Sequence, residues 1–222
     1  MSFVKVRDAN KFWLLFRNPV LTGCTFVFTL FWLYSGFATT NFFNWLLENL
    51  LTLPGLMAFG FFYVRYSLSH KSVVFVFLFL LLHLYGSQYT YQNNPVGYWL
   101  QDVFHLSRNH YDRIVHFSFG LLMALPMYEI CRYHLKNARW LPYLIPLELT
   151  LSMSVLFELI EWIFSTLFVQ DKASVYLGMQ GDIWDAQKDV ALAFLGAVIA
   201  VSFIWFNTHK KVTTRQPGSK NF

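Results

Sequence analysis

Charge is scarce in this chain. Of its 222 residues, only 13% are Asp, Glu, Lys or Arg, while 56% are hydrophobic and 20% aromatic. Soluble domains carry about 25% charged residues and are rarely this aromatic. Cysteine is also scarce: Cys24 and Cys131 fall inside or at the end of apolar runs. They offer no disulfide framework and no cysteine-based metal motif. A nucleotide-binding glycine loop, a nucleophile elbow and an H-E-x-x-H pair are all missing. No repeat of 20–50 residues and no low-complexity run appears. The formal net charge is +5, but the basic residues sit in short segments between apolar runs, so nucleic acid is not the expected partner. The C-terminal TTRQPGSKNF is polar, contains Pro and Gly, and reads as a disordered tail.

What the chain does have is apolar length. Six runs, roughly 20–38, 46–64, 72–90, 113–131, 143–166 and 186–206, each suffice to cross the ~30 Å hydrocarbon layer. Lipid cannot satisfy free backbone groups, so these runs predict helices. The expectation is an all-α polytopic bundle forming one transmembrane domain over 1–222, with 207–222 as a cytoplasmic tail. The first run is longer than a signal-peptide core and is expected to be retained. Thirteen of the seventeen Lys and Arg fall at the N-terminus, the second and fourth connections and the C-terminus; the others are Arg108, Arg113, Lys172 and Lys188. The positive-inside rule then predicts an inner (plasma) membrane protein with both termini cytoplasmic.

The acids follow the opposite pattern. Asp8, Glu129 and Glu148 belong to the inner half. Glu48, Asp102, Asp112, Glu158, Glu161, Asp171, Asp182, Asp185 and Asp189 belong to the outer half, with His83, His105, His110 and His116. A charge at membrane depth costs about 2.5–3.5 kcal/mol even on lenient insertion scales. Such groups must face the bundle interior, pair, or line a wet cavity.

Three motifs carry the chemistry. DRIVH sets Asp112 and His116 four apart, on one helix face. That spacing suits a shared metal or a carboxylate-oriented imidazole. Asn109 as N-cap with Asp112 in a capping box would explain Asp112, but not a buried His116. FELIEW sets Glu158 and Glu161 three apart in a lipid-grade run, where they repel unless a proton or a cation intervenes. The spacing resembles carboxylates in di-metal bundles. QGDIWDAQKD sets Asp182, Asp185 and Asp189 on one face. There Asp182 can cap, Asp185 can complement the helix dipole and pair with Lys188, and Asp189 has no such structural duty. His83 is a lone histidine on an apolar span. Tyr85, Tyr89 and Tyr91 fit an interfacial aromatic belt. In VGYWLQDVFHL, Trp99, Leu100, Val103 and Phe104 group on one side of a short helix suited to the membrane surface.

The stretch Arg108–Arg113 with His116, FELIEW at Phe157–Trp162, QGDIWDAQKD, WLLEN at Trp45–Asn49 and YTY at Tyr89–Tyr91 together resemble the YjdF-like bacterial inner-membrane proteins. The resemblance spans nearly the whole chain. It implies a multi-span membrane architecture and no activity. A more distant likeness to VanZ-like membrane proteins rests on a histidine-bearing span, an acidic span and an Asp-led last span containing Gly196.

The expected function is a metal-dependent hydrolase or transferase acting on a lipid-linked or amphiphilic substrate. Its divalent ion would be held among Asp112, His116, Glu158, Glu161, Asp182, Asp185 and Asp189. His83 and His110 would move protons, and Arg113 would hold an anionic group. The alternatives are a proton- or cation-coupled transporter or sensor, and a structural membrane protein whose polar layer fixes helix register. Oligomeric state cannot be read from the sequence.

Overall fold

A computed structural model describes residues 18–66, 68–169 and 179–214. The structure is all-helical. The helices are α1 (Pro19–Ala38), α2 (Phe42–Asn49), α3 (Thr52–Tyr66), α4 (His70–Gln88), α5 (Pro95–Phe104), α6 (Tyr111–His134), α7 (Leu141–Phe164) and α8 (Asp185–Thr214). A π-helical turn, Ser165–Val169, extends α7. Among the described residues, six helical stretches are long and apolar enough to cross a membrane: Pro19–Ala38, Phe42–Tyr66, His70–Gln88, Tyr111–His134, Leu141–Leu167 and Asp185–Lys210. Each overlaps one of the six runs in the sequence. Lys5, Arg7, Asp8, Lys11, Arg17, Asp171, Lys172, Arg215, Lys220 and most of the C-terminal tail lie outside the described residues.

Local sequence explains where the helices start. Asn18 accepts from the N–H groups of Val20 and Leu21, with Pro19 opening α1. Asn41 accepts from Asn44 N–H, Ser69 from Ser72 N–H, and Asn94 from Val96 and Gly97 N–H, with Pro95 opening α5. Each cap satisfies backbone donors that a helix N-terminus leaves unpaired. The second span differs from the single helix expected over 46–64: it breaks at Leu50–Leu51. Pro54, in the first turn of α3, cannot donate to the Leu50 carbonyl and its ring crowds that residue, so the helical ladder restarts.

Two halves pack differently. Around α1, α3 and α4 the core is large and aromatic: Phe28 meets Phe77 edge-on at 6.0 Å, Phe59 meets Phe77 at 5.9 Å, and Val73 and Leu84 are fully buried. Helix α6 is the hub of the other half, packing on α4, α7 and α8. Its contact with α8 is made by small residues. A Cβ at Gly120 would overlap the Ala193 carbonyl, and one at Gly196 would overlap the Phe117 carbonyl. Ala193 and Ala197 are completely buried. Small residues let two backbones approach closely where hydrocarbon gives no hydrophobic drive between helices. The outward surfaces of the spans, such as Phe26 and Leu30 on α1 and Ile199 and Phe203 on α8, are exposed and apolar.

Candidate metal site

The α6–α8 seam continues directly into the polar layer. Asp112, His116, Gly120 and Ala124 follow at four-residue steps on α6, and Asp185, Asp189, Ala193 and Ala197 do so on α8. Four-residue steps keep each set on one face. One turn beyond the glycine contact, the two faces bring Asp112, His116 and Asp189 together, each offering a ligand atom within 4.8 Å of the others. His116 Nε2 lies 3.6 Å from Asp112 Oδ1 and 3.2 Å from Glu158 Oε1. Its Nδ1 lies 3.5 Å from Ser154 Oγ, and its ring meets Phe157 edge-on. Asp189 is only 2% exposed, and its Oδ1 has no hydrogen-bond partner. A buried oxygen without a partner is costly. Two carboxylates and an imidazole, with Glu158 beside them, form a nitrogen–oxygen donor set suited to a divalent cation.

Above this group lies a layer of ion pairs. Arg108 Nη1 and Nη2 donate to Asp185 Oδ1 and Oδ2 at 2.5 and 2.9 Å, a bidentate fork. Arg113 Nη2 donates to Asp182 Oδ2 at 2.6 Å and to Asp185 Oδ1 at 3.0 Å. Lys188 Nζ donates to Asp182 Oδ2 at 2.6 Å. The expected Lys188–Asp185 pair is therefore replaced: the long lysine reaches outward to Asp182 while the arginine forks fill the buried Asp185. These contacts place Asp182 and Asp185 in ion pairs, apart from the Asp112–His116–Asp189 group. Arg113 also donates from Nη1 to His110 Nδ1 at 3.1 Å. His110 therefore stands with the ion pairs, and burial, then Arg113 and Arg108, push its pKa down. Lys188, the Trp184 N–H and Arg113 hold the Asp182 carboxyl well below the usual carboxylate range. Asn109 and Gln180 exchange backbone–side-chain hydrogen bonds at 3.0 and 2.9 Å. Together these bonds tie the start of α6 to the segment leading into α8.

The layer also extends towards α2 and α4. His83 is buried. Its Nε2 lies 3.1 Å from the Glu48 carbonyl and its Nδ1 lies 2.6 Å from Tyr91 Oη. A carbonyl only accepts, so Nε2 carries the proton and Nδ1 accepts from Tyr91. Both nitrogens are thus occupied, and His83 stands apart from the metal-ligand group. The Glu48, Asp112, Glu158 and Asp189 carboxyls lie within electrostatic reach of Glu161.

Several sequence expectations need correction. Tyr91 is buried at 8% exposure rather than standing in an aromatic belt. Thr90 and Tyr91 take left-handed backbone angles, and the ring enters space that a Cβ at Gly86 would fill. Asn109 is not the N-cap of α6; that position is His110, without a side-chain cap. Asn109 instead accepts from Tyr111 N–H and donates to the Asn94 carbonyl. Asp112 is accordingly not part of a capping box. Sequence reasoning passed over Ser154 and gave Arg108 and Tyr91 no place in the site. Arg108 carried a signal, being one of four basic residues on the acidic side.

Beside the group, a cavity of about 520 Å³ opens between α7 and the start of α8. Val155, Leu159 and Trp162 line one wall, Ile183, Ala186 and Val190 the other, and Glu158, Asp185 and Asp189 contribute carboxylates.

Comparison with known proteins fits this architecture. Residues 20–210 match the family described as "Predicted membrane protein (DUF2238)". The chain is 33% identical over 190 residues to the "Inner membrane protein YjdF" of Escherichia coli (strain K12), an alignment covering 83% of this chain and 88% of that protein. No solved structure matches the chain. The six spans, the polar layer they enclose and these two matches together place the protein: it is a multi-pass inner-membrane protein, and it belongs to the DUF2238 family.

Proposed function

We propose that this protein is a metal-dependent hydrolase or transferase acting on an amphiphilic substrate, with its site in the outer half of the bilayer. The observation that carries the reading is the buried Asp189 Oδ1, which has no partner, beside Asp112 and His116 on the neighbouring helix. Asp112, His116 and Asp189 would hold the ion, with Glu158 as a fourth donor. A divalent ion here would supply Lewis acidity and a nucleophilic water near neutral pH. Glu158, facing both the group and the cavity, is placed to move a proton to or from a bound substrate. Glu161 would extend the carboxylate layer. The Arg108 and Arg113 pairs fix where α6 meets α8. His110 accepts from Arg113, and His83 holds Tyr91 and the Glu48 carbonyl, so their work is positional.

A through-going proton or cation path has less support. Below Ser154, the interior continues through Thr150, Met127, Ala124 and Ala200, all buried. Glu148, the acid nearest the opposite end of α7, is exposed on the bundle's outer surface. The basic-residue asymmetry supports both termini in the cytoplasm, which labelling of single introduced cysteines in intact cells tests.

The decisive experiment is metal content by elemental mass spectrometry on detergent-purified protein. Near-stoichiometric divalent metal is expected in the wild type and in Glu129→Gln, with loss in folded His116→Ala and Asp189→Asn. Metal absent from the wild type after incubation with divalent ions, or retained in both site variants, overturns the reading.

A further inference from the structure

The cavity beside the metal-ligand group lies between two spanning helices, and its rims are apolar. Trp162 is 57% exposed and Ile183 is 73% exposed. Val155, Leu159 and Trp162 run along α7 over eight residues, a length of about 10 Å at 1.5 Å per residue. Glu158 and Asp189 enter from opposite walls within that length. Among the described residues, two neighbouring approaches are filled. On the far side, the Gly120–Ala193 and Gly196–Phe117 contacts close α6 onto α8. Towards the end of the bundle, Arg108 and Arg113 clasp Asp185, one helical turn beyond Asp189.

We infer that the α7–α8 cavity is a lateral docking cleft for one hydrocarbon chain of a membrane lipid. The chain lies against Val155, Leu159 and Val190, and the polar headgroup meets Glu158 and the Asp112–His116–Asp189 group. This deepens the proposed function and rests on it for the role of the headgroup. The occupant follows from place and chemistry. A cleft between spanning helices is bathed in lipid, so its apolar walls meet hydrocarbon before any solute. A water-soluble substrate would have to pass the exposed Trp162 and Ile183 rims to reach carboxylates already crowded by their own charge. An amphiphile already in the leaflet brings its headgroup to that depth by sliding sideways. The volume of about 520 Å³ falls within the ~300–1,000 Å³ of small-molecule sites.

The test uses full-length protein in nanodiscs of phosphatidylethanolamine and phosphatidylglycerol containing a phosphatidylglycerol with a diazirine in its acyl chain. After illumination, peptide mass spectrometry maps the cross-links. Labelling of Val155–Trp162 and Ile183–Val190 should exceed labelling around Phe203, an ordinary lipid-facing residue at 68% exposure. Ala186→Trp, which fills the cleft, should abolish the excess while retaining the wild-type melting temperature and metal content. Leu159→Trp fills it from the other wall and serves if Ala186→Trp misfolds. Unlabelled phosphatidylglycerol should compete, and glycerol phosphate should not. Labelling equal to the Phe203 surface, labelling unchanged in both folded plug variants, or competition by glycerol phosphate would overturn the cleft. Metal content on the same samples separates the two ideas. Metal without cleft labelling sinks the docking route alone; cleft labelling without metal sinks the enzymatic reading alone.

Discussion

The α1–α3–α4 half and the α6–α8 half solve the same problem with opposite materials. The first fills its core with rings, as where Phe28 and Phe59 both meet Phe77 edge-on. The second removes side chains until backbones touch at Gly120 and Gly196. Bulky packing tolerates small shifts because rings can slide. A glycine contact does not, and it is the α6–α8 contact that the ionisable groups use. Asp112, His116 and Asp189 sit one and two turns above the closest approach, so the seam sets their separation. Precision in the polar layer thus begins with residues that carry no charge, and the Arg108 and Arg113 pairs hold its outer end.

Four substitutions sharpen that contrast. Phe77→Ala should leave a cavity in the aromatic half costing about 3–5 kcal/mol, lowering the melting temperature in detergent while metal content stays at the wild-type level. Asp185→Asn should cost up to ~3–5 kcal/mol by removing the carboxylate that the buried Arg108 fork grips, while Arg113 keeps Asp182, again read by thermal melting. Gly120→Leu should destabilise at least as much, because its side chain must displace the Ala193 carbonyl and overpack the seam, and it should abolish metal binding by spreading the two helix faces. Gly23→Leu on α1, where no atom lies within 4 Å of an added Cβ, should change neither property. Equal metal loss in Phe77→Ala and Gly120→Leu would erase the distinction between the halves.

A small, pH-dependent effect should appear at Asp182. Its carboxyl is held low by Lys188, the Trp184 N–H and Arg113. A depressed folded pKa contributes stability above the ordinary carboxylate pKa of about 4 and loses it as pH falls further. Asp182→Asn should therefore melt slightly below wild type at pH 7, and the gap should narrow as pH drops below about 4. A gap that widens on acidification would contradict the ion-pair assignment.

Much of the bundle was legible because hydrocarbon imposes a simple code. Apolar length gave six spans, whereas the caps at Asn18, Ser69 and Asn94 emerge only in the structure. The clustering of Asp112, His116 and Asp189 was legible only as shared depth, since nothing in their spacing says that α6 faces α8. Gly120 and Gly196 held that information, but a glycine in a membrane helix does not name its partner. Tyr91 was misplaced because interfacial tyrosines are common, and only the left-handed turn at Thr90–Tyr91 folds this one inward. The Lys188 pairing failed because helix spacing ignores an arginine arriving from a distant connection.

The broken second span has a consequence for how the chain enters the membrane. Its pieces, eight residues in α2 and fifteen in α3, reach only about 12 and 22 Å, so neither crosses the bilayer alone. Near the break, the Glu48 carbonyl accepts from His83, a residue on α4 that leaves the ribosome later. Until then that carbonyl has no such donor in lipid. The second span therefore completes this contact only against the third, through the His83 side chain.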